Sequence, residues 1–140
     1  MLFGLIVVLL GGAATAVNAS ETGSPAPVVA KEEYTTQAYS CAAGDFCVWD
    51  QLGGVGNRCA WDVADPDWRA GAIRCSWSGV RKVLSAKDNG NDSRFLAVAV
   101  FHGADYNPNT RFACLQRGVP YDITEGGVFL RSHRWVNYYC

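Results

Sequence analysis

From Asp45 onward the chain alternates short apolar runs with clusters of turn residues. Six runs carry a strand pattern: "DFCVWD" (Asp45–Asp50), "NRCAW" (Asn57–Trp61), "RKVLSA" (Arg81–Ala86), "FLAVAVFH" (Phe95–His102), "TRFACLQ" (Thr110–Gln116) and "VFLRSHRWV" (Val128–Val136). They are rich in Val, Phe and Trp, which suit a pleated, half-buried surface. Between them stand Gly53-Gly54, Asp88-Asn89-Gly90, Asn107-Pro108-Asn109 and Gly126-Gly127, residues that turn the chain. Asn89-Gly90 can form a tight turn because both residues tolerate positive φ. No window shows a 3.6-residue apolar period between capping residues. The segment "ADPDWRAGAI" has room for one helical turn from Pro66, and the polar stretch Lys31–Ser40 for a first strand near Tyr39. The pattern predicts an all-β domain built as a sandwich.

The strand pattern also repeats. "CVWDQLGG" followed by "NRCAW" matches "VAVFHGADY" followed by "TRFACL": a strand, a glycine-bearing loop, then Arg and Cys on the next strand. Further on, "VRKVLSA" is echoed by "VFLRSHRW". Two strand-rich units of this size, each too small to bury its own core, fit two Greek keys packed face to face.

Upstream of the strands the composition changes. Leu2–Leu10 is apolar apart from Gly4 and is followed by small residues. The run is shorter than the roughly 20 residues that span a bilayer and matches the apolar region of a secretory signal peptide. Val17-Asn18-Ala19 places cleavage after Ala19, although no Lys or Arg precedes the apolar run. "SETGSPAPVVA" (Ser20–Ala30) is small and proline-bearing, a composition that favours an extended tether. The expected organisation is a signal peptide over residues 1–19, a flexible linker over 20–40 and one disulfide-rich β domain over 41–140. The expected location is extracellular, with no membrane attachment after cleavage.

That location decides how the cysteines read. All six, Cys41, Cys47, Cys59, Cys75, Cys114 and Cys140, fall in the folded part. An even count in a short secreted chain implies disulfides, and the sequence alone leaves many pairings open. A structural zinc site needs repeated close ligand pairs, and a thioredoxin-like redox site needs C-x-x-C. Neither spacing occurs, and His102 and His133 are not spaced with any cysteine as ligands. The reading is structural disulfides, with no metal and no cofactor.

"CAAGDFCVWD", a C-x-x-G-x-x-C segment running into an aromatic strand, resembles the opening of the actinobacterial peptidase inhibitor family I36. "GNRCAW", "SGVRKVLSAKDNG" and "FLRSHRWV" extend the resemblance more loosely to Cys140. It implies a βγ-crystallin-like fold of two Greek keys and a secreted proteinase inhibitor, with a metalloproteinase as the implied target. It also implies a short disulfide across the opening segment. With nearness in sequence, the resemblance gives the pairing Cys41–Cys47, Cys59–Cys75 and Cys114–Cys140. No reactive-site residue carries over from the family's inhibitors.

Other chemistry finds less support. Calcium sites of that fold resemble a paired Asn/Asp before Ser/Thr-Ser, whereas "SWSGVRK" and "EGGVFLRS" stand in those places. Ser132 and His133, neighbours on a strand, point to opposite faces and make no nucleophile–base pair. His133 is expected at a strand surface and His102 at a strand end. Asp62, Asp65 and Asp67 flank a proline, as in a turn that caps its own backbone. No catalytic residue is expected, and the protein is read as a non-enzyme. Twelve basic and thirteen acidic residues leave a net charge of −1 with no basic run, which argues against nucleic acid as partner.

Five tryptophans remain. Trp49, Trp61 and Trp135 are expected inside, and Trp68 and Trp77 exposed, where they would contact a partner. A glycan or cell-wall component, or another protein, is then the alternative to a protease. For a monomeric inhibitor that inserts a rigid loop, the best segment is "HGADYNPNTR" (His102–Arg111). There Tyr106 offers an aromatic anchor, Asn107 precedes the turn and Pro108 stiffens it.

Overall fold

A computed structural model describes residues 25–140, so the expected signal peptide lies outside the described residues. The strands are β1 (Val28–Val29), β2 (Glu33–Thr35), β3 (Phe46–Trp49), β4 (Gly56–Trp61), β5 (Ile73–Arg74), β6 (Ser85–Asp88), β7 (Ala97–Phe101), β8 (Arg111–Gln116), β9 (Pro120–Asp122) and β10 (Ser132–Val136). The helical turns are short 3-10 turns at Ser76–Gly79 and Pro108–Thr110. The described chain is therefore all-β, and none of its helices is long and apolar enough to cross a membrane.

Two-residue alternation sorts each strand between two environments. On β3, Phe46 and Val48 enter the central core while Cys47 and Trp49 face the other side of their sheet. On β7, Val98 and Val100 enter the same core and Ala97, Ala99 and Phe101 face away. The first sheet runs β2-β4-β3-β6-β9 and the second β10-β7-β8. The two sheets thus share one core, as a sandwich requires.

The sequence repeat corresponds to a structural one. β3 pairs with β4 with Cys47 opposite Ala60, and β7 pairs with β8 with Ala99 opposite Cys114. β6 then joins the far side of β3, as β10 joins β7. Each half also lends a segment to the other sheet. β9, from the second half, pairs with β6, while Asp65, from the first, bridges to His133 on β10. Neither half can close alone, and this exchange fits a βγ-crystallin-like pair of Greek keys.

Disulfides close the outer faces. Cys41–Cys47 ties the incoming chain over Trp49 and Ala60, and Cys114–Cys140 folds the end of the chain over Ala97, Ala99 and Val136. Cys59–Cys75 lies within the central core. Each such bridge typically contributes about 2–4 kcal/mol by restricting the unfolded chain.

Several elements depart from the pattern expected of the sequence. The strand read at Arg81–Ala86 begins at Ser85 and extends to Asp88, which pairs with Phe46 on β3 before its carboxylate turns the chain at the Gly90 amide. Before it, Val83 makes only an isolated bridge to Val128. Asn89-Gly90 joins strands of different sheets instead of closing a hairpin. Pro66 starts no helical turn, and the 3-10 turn comes after Cys75. Tyr39, at φ 50°, lies outside the strands and packs edge-on against Trp49. In the segment read as a linker, the described residues include β1, paired with β5, and β2, paired with β4.

Candidate functional site

The loop from His102 to Arg111 joins β7 to β8, and a buried serine fastens it from beneath. Ser132 Oγ donates to the Gly103 carbonyl at 2.7 Å and accepts from the Tyr106 amide at 3.3 Å. The loop in the equivalent place, between β3 and β4, is fastened the same way. Ser85 Oγ donates to the Gln51 carbonyl at 2.7 Å and accepts from the Gly54 amide at 3.0 Å. Both serines are fully buried, so each hydroxyl replaces water for otherwise unpaired backbone groups.

Further bonds cross the loop. The His102 amide reaches the Thr110 carbonyl at 2.8 Å, and the Gly103 amide reaches Thr110 Oγ1 at 3.0 Å. Thr110 donates both its amide and its hydroxyl to the Asn107 carbonyl, each at 2.9 Å. Asn107 Oδ1 caps the Pro108–Thr110 turn by accepting from the Asn109 amide. Asp105 and Tyr106 have φ near +55°, which costs side-chain-bearing residues about 1–2 kcal/mol each. Neighbours hold them there: the Asp105 amide donates to the Pro66 carbonyl at 2.8 Å.

The structure places the expected contact residues unequally. Asn107 and Pro108 are exposed at the tip. Tyr106 is half-buried, edge-on to Phe101, with the Arg134 guanidinium 5.6 Å from its ring centre. Burial, and then the nearby Asp65 carboxylate, push its phenol above the usual value. Tyr106 therefore anchors the loop to its own scaffold and presents only part of its ring.

Trp68 and Trp77 are buried, contrary to the exposure expected of them. Trp68 follows the exchanged segment into the core, where its amide donates to the Arg131 carbonyl and its ring stacks on Trp61 at 4.7 Å. Trp77 sits in the turn that Cys59–Cys75 draws against the core. Trp49 and Trp61 are inside, and Trp135 is half-buried.

His133, expected at a strand surface, is fully buried among Phe46, Trp61, Trp68 and Trp135. Trp68 Nε1 donates to His133 Nδ1 at 2.9 Å, so the ring proton sits on Nε2 and faces the Val63 carbonyl at 3.1 Å. Desolvation drives the His133 pKa down to about 3. The ring is a neutral packing element among the core aromatics. His102 lies after β7, its Nδ1 2.8 Å from the Phe129 carbonyl.

The three aspartates act on backbone and charge. Asp65 Oδ1 accepts from the Asp67 amide and Asp67 Oδ1 from the Arg69 amide. Asp67 also takes a two-pronged pair from Arg131, at 2.9 and 2.7 Å, which holds its carboxyl below the usual range. Burial pushes the Asp65 carboxyl up. Among the described residues, Glu32, Cys59 and Cys75 lie close enough to share a metal, but both sulfurs are committed to a disulfide. Ahead of β6, Arg81 Nη1 pairs with Asp50 Oδ2 at 2.9 Å.

The model of Peptidase inhibitor family I36 matches residues 35–115, a span that holds the first hairpin, the whole His102–Arg111 loop and all but the last residue of the second hairpin. No curated protein and no solved structure matches the chain. The family is one of peptidase inhibitors and not of enzymes. The family match covers more than half of the chain, and the protein belongs to peptidase inhibitor family I36.

Proposed function

We propose that this protein works outside the cell, as a monomer, by inserting the His102–Arg111 loop into the cleft of a target peptidase. The carrying observation is the loop's construction: Asn107 and Pro108 stand exposed on a framework held by Ser132, Thr110 and the Pro66 carbonyl. A segment already fixed in shape loses little entropy on binding. The resemblance of the opening cysteine segment makes a metallopeptidase the target class. In this reading a leader ending at Ala19 directs the chain out of the cell, and residues 41–140 form the inhibitory domain. Neither a cofactor nor a metal takes part.

A glycan-binding reading needs Trp68 and Trp77 at the surface, and both are buried. The test is titration of the oxidised protein against a thermolysin-type metallopeptidase and against subtilisin. Saturable, stoichiometric loss of metallopeptidase activity with the protein left intact is the expected result. Loss of subtilisin activity alone would reassign the target class, and full activity of both enzymes at excess protein would refute the reading.

A further inference from the structure

Asn107 and Pro108 stand out of the loop, yet their carbonyl oxygens are turned back into it. The Asn107 oxygen accepts from both the Thr110 amide and the Thr110 hydroxyl, each at 2.9 Å. A carbonyl oxygen has two lone pairs, and here the loop occupies both. The Pro108 oxygen accepts from the Arg111 amide. Thr110 Oγ1 also accepts from the Gly103 amide at 3.0 Å, which polarises the hydroxyl and strengthens the bond it donates. That approach needs a glycine, because a Cβ on Gly103 would lie 2.7 Å from Thr110 Oγ1. The Thr110 carbonyl in turn accepts from the His102 amide at 2.8 Å, so the loop holds Thr110 through its amide, hydroxyl and carbonyl.

A peptidase needs what this arrangement withholds. Hydrolysis after Asn107 adds a water oxygen to the carbonyl carbon, passes a water proton to the Pro108 nitrogen and breaks the bond between them. The carbonyl oxygen becomes an oxyanion on the way, and an enzyme lowers that barrier with a metal ion or hydrogen-bond donors placed on it. An oxygen already shared by two loop donors takes up a metal ion only by giving up at least one of them. Beyond the bond, proline offers no N–H for the enzyme to hold.

We propose that Thr110 makes this chain an inhibitor and not a substrate: it withholds the Asn107 carbonyl oxygen from the catalytic metal ion of the peptidase, so the exposed Asn107–Pro108 bond enters the cleft and survives. Pro108 protects the nitrogen side of that bond and Thr110 the oxygen side. Thr110 acts through the Asn107 carbonyl and is therefore a positioning residue. The proposal rests on the inhibitor reading, which brings the loop to a peptidase, and adds the reason why the loop is not consumed there.

The test follows intact mass and cut position while the full oxidised chain is incubated with the thermolysin-type metallopeptidase. The parent is expected to stay whole across the loop. Pro108→Leu puts an N–H and an apolar side chain after Asn107, and with Thr110 in place it should be cut there slowly. Pro108→Leu/Thr110→Val removes the hydroxyl bond at nearly constant volume. It should be cut at the same bond about tenfold faster, equivalent to about 1.4 kcal/mol of barrier. Pro108→Leu/Thr110→Ser keeps the hydroxyl and should return to the slow rate, which a loss of packing alone would not restore. Should the valine variant lose its fold, Thr110→Ala in the same background takes its place with the same two outcomes. A folded hydroxyl-free variant cut no faster than Pro108→Leu, a serine variant cut as fast as it, or a parent cut after Asn107 would overturn the proposal. A parent that leaves the peptidases fully active refutes the inhibitor reading by itself. The cleavage rates then still decide the role of Thr110: faster cutting without the hydroxyl supports it, and equal rates overturn it.

Discussion

The Asp50–Gly56 loop and the His102–Thr110 loop hold equivalent places in the two halves, and a fully buried serine fastens each. Their surroundings differ. The first is covered: the Tyr39 amide donates to the Gly54 carbonyl, and Asp122 accepts from both the Gly53 amide and the Tyr39 hydroxyl. The second leaves Asn107 and Pro108 in solvent above a base in which Tyr106 packs on Phe101 and Arg134. One backbone device thus serves a structural corner in the first half and a displayed loop in the second. What surrounds a motif, more than the motif itself, decides which copy can meet a partner.

The largest expected effect comes from removing the core indole that the exchanged segment carries between the sheets. Trp68→Ala should cost about 3–5 kcal/mol of stability, measured by urea unfolding, because a fully buried indole leaves a cavity and an unpaired His133. In the first loop, by contrast, Leu52→Ala, at a site 45 % exposed, should stay within about 0.5 kcal/mol of the parent.

Acid should act on the second half through His133. Its pKa falls from 6.5 in the unfolded chain to about 3 in the fold. Between those values the unfolded chain binds the proton and the native state does not, so stability falls as pH drops from 6.5 toward 3. The full loss attributable to this residue is about 5 kcal/mol. Asp65 and Asp88 act in the opposite sense, since burial raises their carboxyl pKa values and the native state takes up those protons first. Unfolding curves of the parent and His133→Gln across that range isolate the histidine, and the variant should show the weaker acid sensitivity.

The serines give the sharpest comparison at moderate size. Ser85→Ala and Ser132→Ala should each cost about 1–3 kcal/mol by leaving buried backbone groups unpaired. Only Ser132→Ala should weaken inhibition in the peptidase titration. The smallest effect belongs to Tyr39→Phe, at most about 1 kcal/mol, since its bond to Asp122 is exposed. Burial, and then that bond, raise the Tyr39 pKa to about 12. The ultraviolet titration of the parent should accordingly show one late phenol that the variant lacks.

Much of this architecture was legible in the sequence because strand alternation is local. Phe46 and Val48, or Val98 and Val100, declare their faces in a few residues. The repeat was legible for the same reason. The exchange of segments between sheets was not, because it depends on pairings such as Asp65 with His133, 68 positions apart. That pairing buries Trp68 and His133, two side chains whose irregular or polar neighbours read as surface. β2 was hidden by its polarity: Glu33 and Tyr34 are exposed and only Thr35 is buried. The loop at His102–Arg111 was visible through its Asn-Pro-Asn turn, whereas its anchor, Ser132, lies on a strand 22 residues after Thr110 and carries no local signal.

The claim that the second loop alone is the inhibitory one is tested most directly by altering both loop tips in parallel. Residual activity of the inhibited peptidase would be titrated with the parent, with the double variant Asn107→Gly/Pro108→Gly, and with Leu52→Ala. The account predicts that the double variant loses at least about tenfold in potency, some 1.4 kcal/mol, and that Leu52→Ala matches the parent. Parent potency in the double variant, or loss of potency in Leu52→Ala, would contradict it.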